Sequence, residues 1–339
     1  MKHYGKLTAA AAAGFMTLSA MGVAPVFAAQ TDAGFEVDVT KTVTKSDTQA
    51  LVPAVTFTYS VAPGNAEVVG SIKAGIADGL SLKNSDGSLE TNDDEVGKDK
   101  ATFTGVTLVA NNTAYATAGP GVYHYVVTEK EETSNDFDGF AGTTKELNVY
   151  VFVEQDPDTK ANIVTAISAS KDGAQKTNAD FADNFTSYTL AVTKEVTGNM
   201  GDKNRDFDFT GTVTESGTHD RFTGNKGEVA ATAVDKNFAT ALKHGETYTL
   251  HGLTAKDAAA LTEASYTADG YTTTVTKGGT SVNSAAKTSD DKENLDYTVT
   301  NYKQVTTPTG ILMTAAPYAG LVALGGVFAG LFFRRKRED

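Results

Sequence analysis

The chain has 339 residues, no Cys and no Trp, and 42 Asp and Glu against 29 Lys and Arg, a formal net charge of −13. That acidity argues against nucleic-acid or anionic-lipid partners, and the lack of Cys excludes disulfides as reinforcement. The length allows two domains of roughly 100–150 residues besides terminal segments.

At the N-terminus, Lys2 and Lys6 precede an Ala-rich apolar stretch from Leu7 to Val26 and a small-residue site at Val26-Phe27-Ala28. This pattern predicts a secretory signal peptide over residues 1–28, cleaved after Ala28. Short alternating runs then dominate: Phe35-Val37-Val39, Phe57-Tyr59-Val61, Tyr123-Tyr125-Val127, Leu147-Val149-Val151, Tyr188-Leu190-Val192, Tyr248-Leu250 and Tyr297-Val299. Separated by polar, Gly-containing turns, they predict half-buried strands and an all-β fold of sandwiches. Helical periodicity is confined to Ile72 to Leu80 and Ala255 to Ala264.

The chain repeats itself. Val39-Thr40-Lys41-Thr42-Val43 is echoed by Val192-Thr193-Lys194-Glu195-Val196, and Val127-Thr128-Glu129 by Leu261-Thr262-Glu263. Each copy closes with an Asn near the end of its last strand, Asn184 or Asn301. Two tandem domains of one type are expected, residues 29–186 and 187–304, joined too tightly for a flexible linker.

Lys41 is in phase with Phe35, Val37, Val39 and Val43, and Lys194 with Tyr188, Leu190, Val192 and Val196, so both amines should enter a core. Burial without a partner disfavours the charged form, and a neutral amine is a nucleophile. Glu129 is in phase with Tyr123, Tyr125 and Val127, and Asn301 with Tyr297 and Val299. A buried, protonated Glu can donate to an Asn carbonyl, polarise it toward the amine and shuttle the proton that leaves with ammonia. The product is a Lys–Asn isopeptide bond. Asn184 is out of phase with Phe181 and Phe185, so a bulge is required to turn it inward, and Asp183 or Asn178 could serve instead; Lys45 is the rival to Lys41.

The far end reads Thr306-Thr307-Pro308-Thr309-Gly310 within residues 305–310, then an uncharged apolar stretch over 311–333 and a basic tail over 334–339. That stretch can cross a bilayer core of about 30 Å, and the tail holds its end in the cytoplasm. The combination predicts a wall-sorting signal, cut by a sortase between Thr309 and Gly310 so that Thr309 becomes an acyl donor. Six of the Lys and Arg and two of the Asp and Glu fall outside residues 29–309, leaving 23 against 40 and a net charge near −17. The five His lack metal-ligand pairing, and the sequence contains no phosphate loop or nucleophile elbow. No cofactor, metal or external enzyme substrate is expected.

Taken together, the sequence resembles the Gram-positive major (backbone) pilins built of streptococcal pilin isopeptide-linkage domains. The resemblance rests on Val39-Thr40-Lys41, Leu51-Val52-Pro53 leading into Phe57-Thr58-Tyr59, and Pro120-Gly121-Val122-Tyr123-His124-Tyr125 ending in Glu129. It continues through Leu190-Ala191-Val192-Thr193-Lys194, Asp206-Phe207-Asp208-Phe209, Tyr271-Thr272-Thr273 and Thr300-Asn301. It implies two tandem Ig-like sandwiches of the collagen-adhesin B type. It also implies a Lys41–Asn184 bond assisted by Glu129 and a Lys194–Asn301 bond assisted by Glu263, each tying a first strand to a last. A third lysine would attack the sortase-bound Thr309 of the next copy; Lys176 matches that position best, with Lys171 and Lys160 as rivals. Implied partners are sortase, further copies, accessory pilins and peptidoglycan, directly or through a basal subunit. The implied location is the Gram-positive wall or a fimbrium, reached through a membrane-held precursor. The alternative is a monomeric wall-anchored adhesin of the same fold. Ala258-Ala259-Ala260 replaces the family's usual Tyr-Val strand before Glu263, a departure that could loosen that core or make it helical.

Overall fold

The computed structural model describes residues 29–305, apart from 32–33, 69–70, 84–86, 92–95, 133–138, 141–144, 172–175, 178, 217–220, 226 and 229–234. The expected signal peptide, the sorting residues Thr306 to Gly310, the apolar segment and the basic tail lie outside the described residues. Strands of six residues or more, in chain order, are β1 Gly34–Lys45, β2 Thr56–Pro63, β3 Lys100–Asn111, β4 Gly121–Glu132, β5 Lys145–Gln155, β6 Asn162–Ser170 and β7 Asp180–Phe185. They continue with β8 Tyr188–Thr197, β9 Phe207–Thr214, β10 Asp235–Leu242, β11 Thr247–Leu253, β12 Ala258–Glu263, β13 Thr272–Lys277 and β14 Leu295–Tyr302.

Two β-sandwiches result. In the first, β1 lies between β3 and β7, and this sheet faces a second one ordered β6-β5-β4-β2. In the second, a sheet ordered β11-β8-β14-β13 faces β10-β9-β12. Period-two patterning is the cause: along β9, Phe207, Phe209, Gly211 and Val213 are buried and the residues between them exposed. Phe57, Tyr123, Val127, Leu147 and Phe181 belong to one core, and Leu190, Phe207, Phe209, Tyr248 and Val299 to the other.

In each sandwich the first and last strands are parallel neighbours. Phe181 lies opposite Lys41 in β7 and β1, and Val299 opposite Lys194 in β14 and β8. Chain ends that are remote in sequence therefore lie side by side.

Neither helical expectation holds. Ile72–Ala74 is a strand paired with β4, and the chain then turns through Gly75 and Gly79. A Cβ on Gly75 would sit 2.4 Å from the His124 carbonyl oxygen, which leaves room only for Gly at this approach. Ala258–Ala260 extends within β12 because β9 pairs on one side and Ala285–Lys287 on the other, and two ladders outweigh the helical preference of Ala.

Only Thr186 and Ser187 separate β7 from β8, and hydrogen bonds bracket the join. Ser46 Oγ accepts from the Ser187 amide at 2.9 Å, Thr223 Oγ1 donates to the Gln49 carbonyl at 2.7 Å, and His251 Nδ1 lies 2.7 Å from Asp47 Oδ2.

Candidate functional site

Lys41 is fully buried, as its phase on β1 requires. Its ammonium lies 3.7 Å from the centroid of the Phe57 ring and donates to Glu129 Oε1 at 2.7 Å. Glu129 is held from its other side: Tyr59, directly opposite in β2, donates its hydroxyl to Oε2 at 2.7 Å. Burial first, and then the neighbouring Glu129 charge, push the Tyr59 phenol far above its usual range, so it stays a donor.

The third member is Asp183, not Asn184. β7 pairs with β1 without interruption from Asp180 to Phe185, so no bulge intervenes. Strict alternation buries Phe181, Asp183 and Phe185 and leaves Ala182 and Asn184 exposed. The Oδ2 atom of Asp183 contacts the Lys41 ammonium. The expectation for Asn184 is thus corrected by one residue, which in a strand is the opposite face. Asn178 lies outside the described residues. Lys45 is buried too, but its amine donates to the Ala50 carbonyl at 2.9 Å.

Lys145, at the start of β5 opposite Glu129, was not singled out by the sequence. Its ammonium contacts Asp183 Oδ1, donates to the Ala182 carbonyl at 2.8 Å and lies 4.0 Å from Glu129 Oε1.

The second sandwich repeats the arrangement. Lys194 is fully buried, 4.6 Å from the Phe207 ring centroid, with its ammonium 3.1 Å from Glu263 Oε1. Asn301, also fully buried, donates through Nδ2 to Glu263 Oε1 at 3.0 Å. Thr273, directly across from it in β13, donates its hydroxyl to Asn301 Oδ1 at 2.7 Å. Desolvation, outweighing the attraction to Glu263, holds Lys194 below the usual lysine range, and desolvation likewise lifts Glu263 above the usual carboxylate range despite its Lys194 contact. Both shifts favour the neutral amine and neutral acid that amide formation needs.

Register makes the two sites equivalent. Asp183 lies two residues beyond the one opposite Lys41, and Asn301 two beyond the one opposite Lys194. Glu129 is opposite Tyr59 and Glu263 opposite Phe209. Lys176 lies on the short strand Lys176–Thr177, paired with Ser170 at the end of β6; Lys160 and Lys171 are exposed.

Against known proteins, a family described as a domain of unknown function (DUF7601) matches residues 188–303. The crystal structure of the major pilin from Streptococcus pyogenes matches at a TM-score of 0.50 and 24% identity, covering 80% of this chain and 99% of that one. A protein named "Pilin" from Streptococcus pyogenes serotype M1 is 30% identical over 330 residues, 90% of this chain and 92% of its own. The chain belongs to the streptococcal pilin family. The all-β tandem sandwich expected of such a pilin is the fold observed.

In this pilin Tyr59 and Lys41 hold Glu129 between them, one on each carboxyl oxygen. Replacing Tyr59 with Phe should cost about 1.5–3 kcal/mol, the worth of a buried hydrogen bond to a charged group. Thermal unfolding of Tyr59→Phe measures this, and an unchanged midpoint would show that Glu129 finds another donor.

Proposed function

We propose that this pilin is the backbone subunit of a covalent pilus on a Gram-positive surface, with each sandwich locked by an internal amide. One joins Lys41 to Asp183 with Glu129 as proton carrier, and the other joins Lys194 to Asn301 with Glu263. The observation that supports this most is the recurrence of one buried amine, one buried carboxyl and one electrophilic side chain at equivalent register in both sandwiches. A buried ion pair alone is a poor stabiliser, so two of them at matching positions favour chemistry over packing.

The reactions differ in what they release. An ammonium and a carboxylate at Lys41 and Asp183 give an amide and water. Lys194 in its ammonium form and Asn301 give an amide and ammonium, the leaving nitrogen taking its proton through Glu263. On the loop model used for disulfides, a bond closing the 142-residue separation of Lys41 and Asp183 removes unfolded-state entropy worth roughly 5 kcal/mol.

Between subunits, sortase would join Thr309 of one copy to Lys176 of the next, with accessory pilins, and peptidoglycan through a basal subunit, completing the assembly. Such a subunit is a structural polymer component, and its only chemistry is on itself. Intact mass of residues 29–309 tests the internal bonds: a deficit of one water plus one ammonia, with peptides joining Lys41 to Asp183 and Lys194 to Asn301, is expected. A full mass would return both lysines to ordinary ion pairing. For assembly, Lys176→Arg should abolish the high-mass ladder that survives boiling in detergent while sparing both internal bonds. A normal ladder would redirect the joint to Lys171 or Lys160.

A further inference from the structure

We propose that Lys145 is an electrostatic catalyst of the Lys41–Asp183 bond, holding Asp183 Oδ1 and its developing negative charge while Lys41 attacks the carboxyl carbon. This rests on the Lys41–Asp183 bond proposed above. Lys145 and Lys41 contact opposite oxygens of one carboxylate, Oδ1 and Oδ2. The Ala182 carbonyl, at 2.8 Å, fixes the Lys145 ammonium in place. One oxygen is therefore free to leave on the Lys41 side while the other remains under a fixed cation as the amide carbonyl. A preorganised donor aimed at the oxygen where charge develops is the arrangement that lowers acyl-transfer barriers most.

Formal charge explains why this sandwich needs a second cation and the other does not. Glu263, Lys194 and the neutral Asn301 sum to zero, and Asn301 Oδ1 is held by the uncharged Thr273 hydroxyl at 2.7 Å. Glu129 and Asp183 bring two negative charges into the first site against one from Lys41; Lys145 restores neutrality. The step balances without other reactants. Lys41 passes one proton through Glu129 to Oδ2 and a second as the intermediate collapses, the C–N bond forms, and the C–Oδ2 bond breaks to release water. Glu129 ends as a carboxylate, with Lys145 at 4.0 Å as its remaining counter-ion.

The test refolds unreacted residues 29–309, recovered in denaturant before either amide has formed, and follows both mass losses with time, using the second sandwich's ammonia loss as an internal control. Lys145→Met should slow water loss roughly 100-fold, the scale of removing one such donor, and Lys145→Arg should stay within about tenfold of the parent. Adding Asp183→Asn to Lys145→Met should restore a fast reaction, now releasing ammonia, because a neutral carboxamide needs no second cation; this also shows that the variant folds. Water loss at the parent rate in Lys145→Met would overturn the role, as would a peptide joining Lys145 itself to Asp183. A parent protein that loses no water would instead overturn the Lys41–Asp183 bond.

Discussion

Asp183→Ala is expected to abolish the first cross-link and to lower the thermal midpoint of that sandwich by about 10–20 °C, while Asn184→Ala changes neither. The size follows from roughly 5 kcal/mol of lost loop constraint and a response of about 2–4 °C per kcal/mol for a unit of this length. Direction follows from placement, since Asp183 is 8% exposed and touches Lys41 whereas Asn184 faces solvent. Asp183→Asn gives a sharper readout. The bond should still form, but the released molecule should change from water to ammonia, and mass spectrometry distinguishes the two. A cross-link that survives Asp183→Ala would return the electrophile to Asn184.

Glu263→Gln is expected to slow the second bond by about 10²–10⁴-fold, the usual worth of a positioned acid–base group. The pH profile of that bond carries a further expectation, measurable on unreacted chain refolded across a pH series. Amine plus carboxylic acid has the same proton count as ammonium plus carboxylate, so the rate should be flat between the two apparent pKa values of the Lys194–Glu263 pair. It should fall on the acid side, where Glu263 and Lys194 are both protonated, and on the alkaline side, where Glu263 loses the proton it must deliver. Because burial raises Glu263 and lowers Lys194, the plateau should be narrower than for an exposed pair. A rate that keeps rising into alkali would mean that Glu263 is not the proton carrier.

Much of the site was legible because a strand has only two faces. Phase alone put Lys41, Glu129, Lys194 and Asn301 inside, and they are inside. The same phase pointed to Asp183, between Phe181 and Phe185; the expectation of Asn184 came from matching residue type between repeats, and the geometric signal was the better one. Tyr59 lay in view within Phe57-Tyr59-Val61, but its partnership with Glu129 needs the β2–β4 register. Thr273 likewise meets Asn301 only once β13 is paired with β14. Lys145 gave no signal, since nothing local distinguishes a lysine at the start of a strand from a solvated one. Ala258 to Ala260 misled through composition: propensity is local, and the two neighbouring strands that extend this segment are not.

The parallel pairing of β8 with β14 has a mechanical meaning. A pull transmitted along the chain enters β8 at Tyr188 and leaves β14 at Tyr302, dragging two adjacent strands past each other in opposite directions. The ladder from Leu190–Leu295 to Thr197–Tyr302 is then loaded in shear, with its bonds sharing the force, instead of being unzipped one at a time. An amide between Lys194 and Asn301 would sit in series with that load and keep the intervening segment from paying out. At about 3.5 Å per extended residue, the segment is on the order of 370 Å of contour length withheld from each subunit. A fibre of such units would resist stretching by geometry before any bond had to break.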